Sequence, residues 1–335
     1  MKKHYGIPYM GSKEKILGLI QYIFDRESNK KYFIDPFCGG FSVSAYALEN
    51  TKFRVYANDL NEYVIDLYKE ILFNHSKELK KVWLDWVDRE QFKDVKENPE
   101  KYPKWYVGYV LTIWSFGNSQ NAYLFGKQNE DIKKRAHEYL IQNGYDGTPN
   151  KRIALIKEFK LKEKISGRLQ LQRLQQLERL ERLQQLERLA GLEQLERLER
   201  LQQLKRLTGS EQLERLERLD SKDWLEFINS IPNDVLSQSF IYCDPPYENR
   251  AKYYKNSMNY DKFWNWFRNF PYPVYVSSYS TPEDIKPIIS AKKEVLLCSA
   301  KKRKIATENI YFNGKGNHLF TMYDGLFNQY DNPNS

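Results

Sequence analysis

From Leu174 the chain repeats a nine-residue unit: LQQLERLER at 174–182, LQQLERLAG at 183–191, LEQLERLER at 192–200, LQQLKRLTG at 201–209 and SEQLERLER at 210–218. This feature constrains the fold more than any other, because the surrounding chain must fold around it. Leucine recurs at every third position from Leu171 to Leu207, and again at Leu213, Leu216 and Leu219. Leu, Glu, Arg and Gln all favour helix. A step of three residues turns an α-helix by about 300°, so successive leucines fall back by about 60° and spiral instead of forming one seam. A heptad coiled coil is therefore disfavoured. The pattern predicts helical segments broken near Gly191 and Gly209, with a stacked, non-helical solenoid as the alternative. In function it reads as an expandable spacer ahead of a partner-binding or DNA-binding arm.

The two flanks of the repeat have α/β character. Tyr32–Asp35 reads as a buried strand entering a glycine turn, with a helix over Phe41–Leu48 after it. A second strand over Phe53–Ala57 and a helix over Glu62–Phe73 follow, the alternation of a parallel sheet. Residues 76–164 read as mostly helical around a polar loop at Trp114–Asn121. Strand patterns return at Ser239–Cys243, Val274–Ser278, Glu294–Leu297 and Glu308–Phe312. The expected organisation is one split α/β enzyme: residues 1–75 and 220–335 as two halves of a sheet domain, 76–168 as a helical region, and 169–219 as an inserted repeat.

Composition excludes several classes. The 335 residues are 41% hydrophobic and 15% aromatic, too rich for a disordered chain. No apolar run is long enough to span a membrane, and the N-terminus lacks the apolar core of a signal peptide, so a cytoplasmic location is expected. Cys38, Cys243 and Cys298 are odd in number and far apart, which suits a reducing compartment and offers no disulfide framework. His4, His75, His137 and His318 are too scattered for a metal site, and none is expected. The net charge is +9, and residues 169–219 hold nine Glu against nine Arg and one Lys. The positive charge therefore sits in the flanks, where a nucleic-acid partner would need it.

Two segments at carboxyl ends of predicted strands carry chemistry, the place where open α/β sheets bind ligands. The first is Asp35-Pro36-Phe37-Cys38-Gly39-Gly40, with Asp59 at the end of the next strand, 24 residues after Asp35. Glycines let a ligand approach the backbone, and an acid there can accept hydrogen bonds from ribose hydroxyls. A tight structural turn beside a surface Asp would look the same. The second is Asp244-Pro245-Pro246-Tyr247, following the buried strand Phe240–Cys243. The Asp244 carboxylate and the Pro245 carbonyl can accept both N–H groups of an exocyclic amine while Tyr247 stacks on its ring. That combination fits a nucleobase amine.

These segments resemble the Dam-like, D12 class, α-group DNA adenine-N6 methyltransferases. Asp35–Gly40 is similar to that family's cofactor loop and Asp244–Tyr247 to its catalytic tetrapeptide, while Tyr9-Met10-Gly11-Ser12-Lys13 is similar to its opening motif. The order of the three also matches. The resemblance implies a Rossmann-like methyltransferase sheet, mixed and mostly parallel, with S-adenosyl-L-methionine as cofactor and double-stranded DNA as partner. It also implies cytoplasmic action in a bacterial or phage-infected cell, within restriction-modification or a phage.

Residue by residue it implies cofactor contacts from Tyr9, Lys13, Asp59 and Asp244, with Asp35, Phe37 and Gly39 lining the pocket and Asp223 near the cofactor adenine. Trp114–Lys127 stands where the family has target-recognition loops. Phe41 departs from the family, which usually has glycine there. The basic runs Lys133–Arg135 and Lys301–Lys304 could hold phosphates, or be solvated faces. Alternative substrates are cytosine N4, RNA or a glutamine side chain. A different class altogether would be a non-catalytic scaffold binding DNA or a partner protein through the repeat.

Overall fold

The computed structural model describes residues 4–74, 77–170, 193–246, 258–279, 281–296 and 303–316. In chain order the first elements are α1 (Leu17–Arg26), β1 (Tyr32–Asp35), α2 (Ser42–Asn50), β2 (Arg54–Asn58) and α3 (Glu62–Lys69), which runs on into a π turn over Glu70–Asn74. Five helices follow: α4 (Lys77–Val82), α5 (Arg89–Glu97), α6 (Lys104–Ile113), α7 (Lys127–Gln142) and α8 (Pro149–Gln170). Then come α9 (Glu193–Leu204), β3 (Leu216–Asp220), α10 (Trp224–Asn229), α11 (Asn233–Ser237) and β4 (Ser239–Cys243). The last are α12 (Tyr260–Asn269), β5 (Val274–Ser278), β6 (Pro287–Leu296) and β7 (Arg303–Phe312).

The chain divides into two compact units. The first comprises residues 1–3, 12–61 and 209–335 and contains the sheet, in the order β3-β2-β1-β4-β5-β7-β6. The first five strands in that order run parallel, and β7 enters antiparallel between β5 and β6. Central strands β4 and β5 are buried at every position, which explains their continuous apolar sequences: both faces are covered. On one face α12 contributes Phe263, Trp264 and Phe267, spaced to fall on one side of a helix, to a core with Ile34, Trp224, Phe227, Ile241 and Val276. The aromatic stretch around Phe263 is thus core packing. Strand order reverses between β1 and β4, so their carboxyl ends flank the switch point of the sheet.

The second unit comprises residues 4–11 and 62–208 and is helical, as the sequence suggests. Within it α3 and α6 pack closely at Gly108, where an added Cβ would lie 2.1 Å from the Tyr63 carbonyl oxygen. Within α9, the repeat leucines Leu195, Leu198, Leu201 and Leu204 are all essentially buried. Three-residue spacing sends them round the helix, so α9 has to be covered on several sides. Two of its charges, Arg197 and Glu199, are buried with it. Glu199 accepts from the Tyr145 hydroxyl at 2.8 Å and from Arg152 Nε at 2.8 Å. Arg197 donates to the carbonyls of Ile113 at 2.8 Å and Ser115 at 2.6 Å, satisfying groups at the open end of α6. The helix gives way to a 3₁₀ turn over Lys205–Leu207, and Gly209 takes φ 63°.

The expected insert boundary at 219 does not hold. The last repeat unit becomes a 3₁₀ turn at Leu213–Arg215 and then β3, which pairs in parallel with β2 at the edge of the sheet. Arg215 donates to the Leu48 and Thr51 carbonyls, anchoring this segment to the end of α2. Helix propensity is overridden here by backbone pairing to an otherwise open strand edge. The first two repeat units, read from the sequence as part of a helical spacer, lie outside the described residues.

Candidate active site

Four loops at the carboxyl ends of the sheet of the first unit carry most of the sequence-selected residues. Asp35 ends β1, Asp59 follows β2, Asp223 follows β3 and Asp244 follows β4. The β1 loop is shaped by hydrogen bonds. Cys38 N–H donates to the Asn58 carbonyl at 2.8 Å, and Gly39, at φ 44°, donates its N–H to Asp59 Oδ2 at 2.8 Å. Asn58 Nδ2 bridges the Pro36 carbonyl at 3.1 Å and the Lys222 carbonyl at 3.0 Å, joining the β1 and β3 loops. Phe41, fully buried, adopts φ 61° and ψ 14° just before α2. This is left-handed backbone that glycine enters freely, which accounts for glycine being usual there.

Asp35 is 2% exposed and accepts from Ser44 Oγ at 2.7 Å. Burial pushes its carboxyl up to about 7 against the pull of Ser44, and the charges of Asp244 and Asp59 add to the rise. Asp59 is raised by burial too, opposed by the Asn61 and Gly39 N–H groups.

Asp244 is held from two sides. Lys13 Nζ lies 2.5 Å from Oδ2, and Ser277 Oγ on β5 donates to Oδ1 at 3.1 Å. Burial raises the Asp244 carboxyl, and Lys13 counters it without cancelling the effect. Burial alone would depress Lys13, but the charges of Asp244 and Glu308 outweigh it and hold the ammonium protonated. Tyr260 donates its hydroxyl to the Pro246 carbonyl at 2.5 Å, so α12 fixes the Pro-Pro turn.

Phe37 stacks on Trp224, with centroids 6.2 Å apart at 28°. Asp223 caps α10, accepting from Leu225 N at 3.0 Å and Glu226 N at 3.4 Å. Tyr9 belongs to the other unit, and Tyr247 lies outside the described residues. Sequence reading missed Ser44, Asn58, Ser277 and Glu308. Of these only Glu308 left a trace, as a carboxylate inside an apolar strand. Among the described residues no cluster of His, Cys, Asp or Glu is arranged to hold a metal.

In the second unit, Trp114–Phe125 forms a short hairpin, with Phe116 N–H to the Ala122 carbonyl at 2.7 Å and Leu124 N–H to the Trp114 carbonyl at 2.8 Å. Its base is buried through Trp114, Tyr123, Leu124 and Phe125, whereas Phe116 at the tip is 53% exposed. Gly117, Asn118 and Gln120 turn it with positive φ. The neighbouring basic run is not one face: Lys133 is buried with its ammonium 5.8 Å from the Phe125 ring centre, and only Lys134 and Arg135 face solvent. Lys301 and Lys302 lie outside the described residues.

A mixed seven-stranded sheet, with acids gathered where its strand order reverses, defines an α/β protein of the Rossmann-like methyltransferase type. Residues 9–143 match the family model described as D12 class N6 adenine-specific DNA methyltransferase. Over those residues the chain is similar to that family, which supports the class of adenine-specific DNA methyltransferases. The match takes in Lys13, the β1 loop, Asp59 and the hairpin, and ends before Asp244.

Proposed function

We propose that this protein transfers a methyl group from S-adenosyl-L-methionine to the N6 amine of an adenine flipped out of duplex DNA. The observation that supports this most is the gathering of Asp35, Asp59 and Asp244 at adjoining strand ends, with burial raising all three. Carboxylates in that state favour a cation, and S-adenosyl-L-methionine carries an α-ammonium and a sulfonium. The donor set therefore fits the cofactor. When bound, it would supply an electrophilic methyl group.

The chain's own residues do the rest. Asp35, Asp59, Phe37, Gly39 and Lys13, with Asp223 as a further candidate, form the pocket. Asp244 and the Pro245 carbonyl accept the two N–H groups of the adenine amine. Aiming the nitrogen in this way and stabilising the positive charge that develops on it both lower the barrier. Since N6 is paired inside the duplex, the base must leave the stack, and stacking by Tyr247 offsets part of that cost. The hairpin from Trp114 to Lys127 is the natural reader of the flanking duplex, with Lys134 and Arg135 available to phosphates.

Digesting treated DNA to nucleosides tests the reading. With purified protein and S-adenosyl-L-methionine, N6-methyladenine should accumulate. Its absence, or N4-methylcytosine in its place, would overturn the assignment.

A further inference from the structure

Glu308 stands out among the buried groups of the sheet unit because no cofactor or substrate role accounts for it. It sits midway along β7, one residue before the segment that pairs antiparallel with β5, where Ser278 lies opposite Asn309. That register brings it to the carboxyl end of β5. Its carboxylate is 1% exposed and lies 3.2 Å from Lys13 Nζ. Lys13 is 2% exposed and also holds Asp244, whose side chain, at 20%, is the one of the three that opens outwards. A carboxylate kept in such a place costs several kcal/mol of desolvation unless it is paired.

We infer that Glu308 is a positioning residue for methyl transfer, drawing the Lys13 ammonium into a shared bond so that Asp244 is oriented yet keeps acceptor capacity for the substrate amine. The inference rests on Asp244 being the amine acceptor proposed above. With Glu308 neutral, the pull of Lys13 would fall more heavily on Asp244, and the carboxylate would meet the amine with its charge more fully compensated.

The groups around Asp244 act in opposite senses. Lys13, from the segment before α1, and Ser277 on β5 favour its ionised form, whereas Glu308 on β7 opposes it. Asp35, Asp59, Tyr242 and Cys243 complete its electrostatic surroundings, each responding to its charge. Activity that needs ionised Asp244 is lost as pH falls through its pKa, which gives an acid limb. Removing the Glu308 charge lowers that pKa and moves the limb to lower pH. Removing the Lys13 charge raises the pKa and moves the limb to higher pH.

The test is kcat and KM against pH for the full chain, as wild type, Glu308→Gln, Lys13→Met, the double variant and Asp244→Asn. Glu308→Gln should lower kcat on the order of ten- to a hundred-fold, change KM for DNA much less, and shift the acid limb downwards. Lys13→Met should shift it upwards. Should Lys13→Met fail to fold, the double variant replaces it, and its limb must lie above that of Glu308→Gln. A wild-type kcat in Glu308→Gln, or a uniform loss at every pH with the limb unmoved, overturns the inference. Full activity of Asp244→Asn would instead overturn the reading of Asp244 itself.

Discussion

The two units bury charge in different ways. In the helical unit Arg152, Glu199 and Arg197 are matched on the spot: Arg152 meets Glu196 and Glu199, Tyr145 adds a hydroxyl to Glu199, and Arg197 is absorbed by carbonyls at the end of α6. In the sheet unit, Asp35, Asp59, Asp244 and Glu308 gather around a network whose described ammonium is Lys13. Matched charges hold a structure together. Several buried acids sharing few positive charges at the mouth of a parallel sheet are a standing cost that a bound cation would relieve. Burial of charge therefore marks a ligand site only when the local count fails to balance.

Substitutions in the two units should fail differently. Asp244→Ala should lower methyl transfer by about 10²–10³-fold, roughly 3–4 kcal/mol of barrier, with little change in folding stability; equal losses of activity and stability would erase the distinction. In the helical unit, Arg197→Ala leaves buried carbonyls unpaired and should cost about 2–3 kcal/mol in denaturant unfolding. Cofactor binding by the folded variant should be unchanged. An Arg197→Ala protein that unfolds like wild type would show that the repeat helix is not structural.

Phe41→Gly sharpens the same contrast inside the sheet unit. It relieves left-handed strain of about 1–2 kcal/mol but empties a buried aromatic site worth about 3–5 kcal/mol. A net loss of about 2 kcal/mol should follow, and a stabilised variant would mean that strain dominates. The smallest effect is expected for Asp35→Asn. A carboxyl raised to about 7 holds a proton that the unfolded chain has already lost above its usual 3.8, so wild-type stability declines as pH climbs from about 4 through 7. Asp35→Asn should remove that decline, of which on the order of 1 kcal/mol falls between pH 6 and pH 8, measured by urea unfolding at those two values. An unchanged pH slope would contradict it.

Much of the sheet was legible in the sequence. Tyr32–Asp35, Ser239–Cys243 and Val274–Ser278 are continuous apolar runs because both faces of the sheet are covered, and their ends give Asp35 and Asp244 directly. β3 was hidden because Leu216–Asp220 continues a repeat whose residues favour helix, and only pairing with β2 makes it a strand. Ser44, Asn58 and Ser277 were invisible for another reason. Each acts through a partner brought close by sheet order or loop closure, and sequence spacing encodes neither. Asp223 was found as a position, but its helix-capping bonds became apparent only in three dimensions.

The central claim, that the acids of the sheet unit await a cationic cofactor, is open to one direct measurement. S-adenosyl-L-methionine is titrated calorimetrically near pH 7 in two buffers of different ionisation enthalpy, with wild type and Asp35→Asn. Binding should release protons from the wild type as Asp35 ionises beside the incoming cation, and the release should vanish in the variant. Binding without proton release, or the same release from both proteins, would contradict the account.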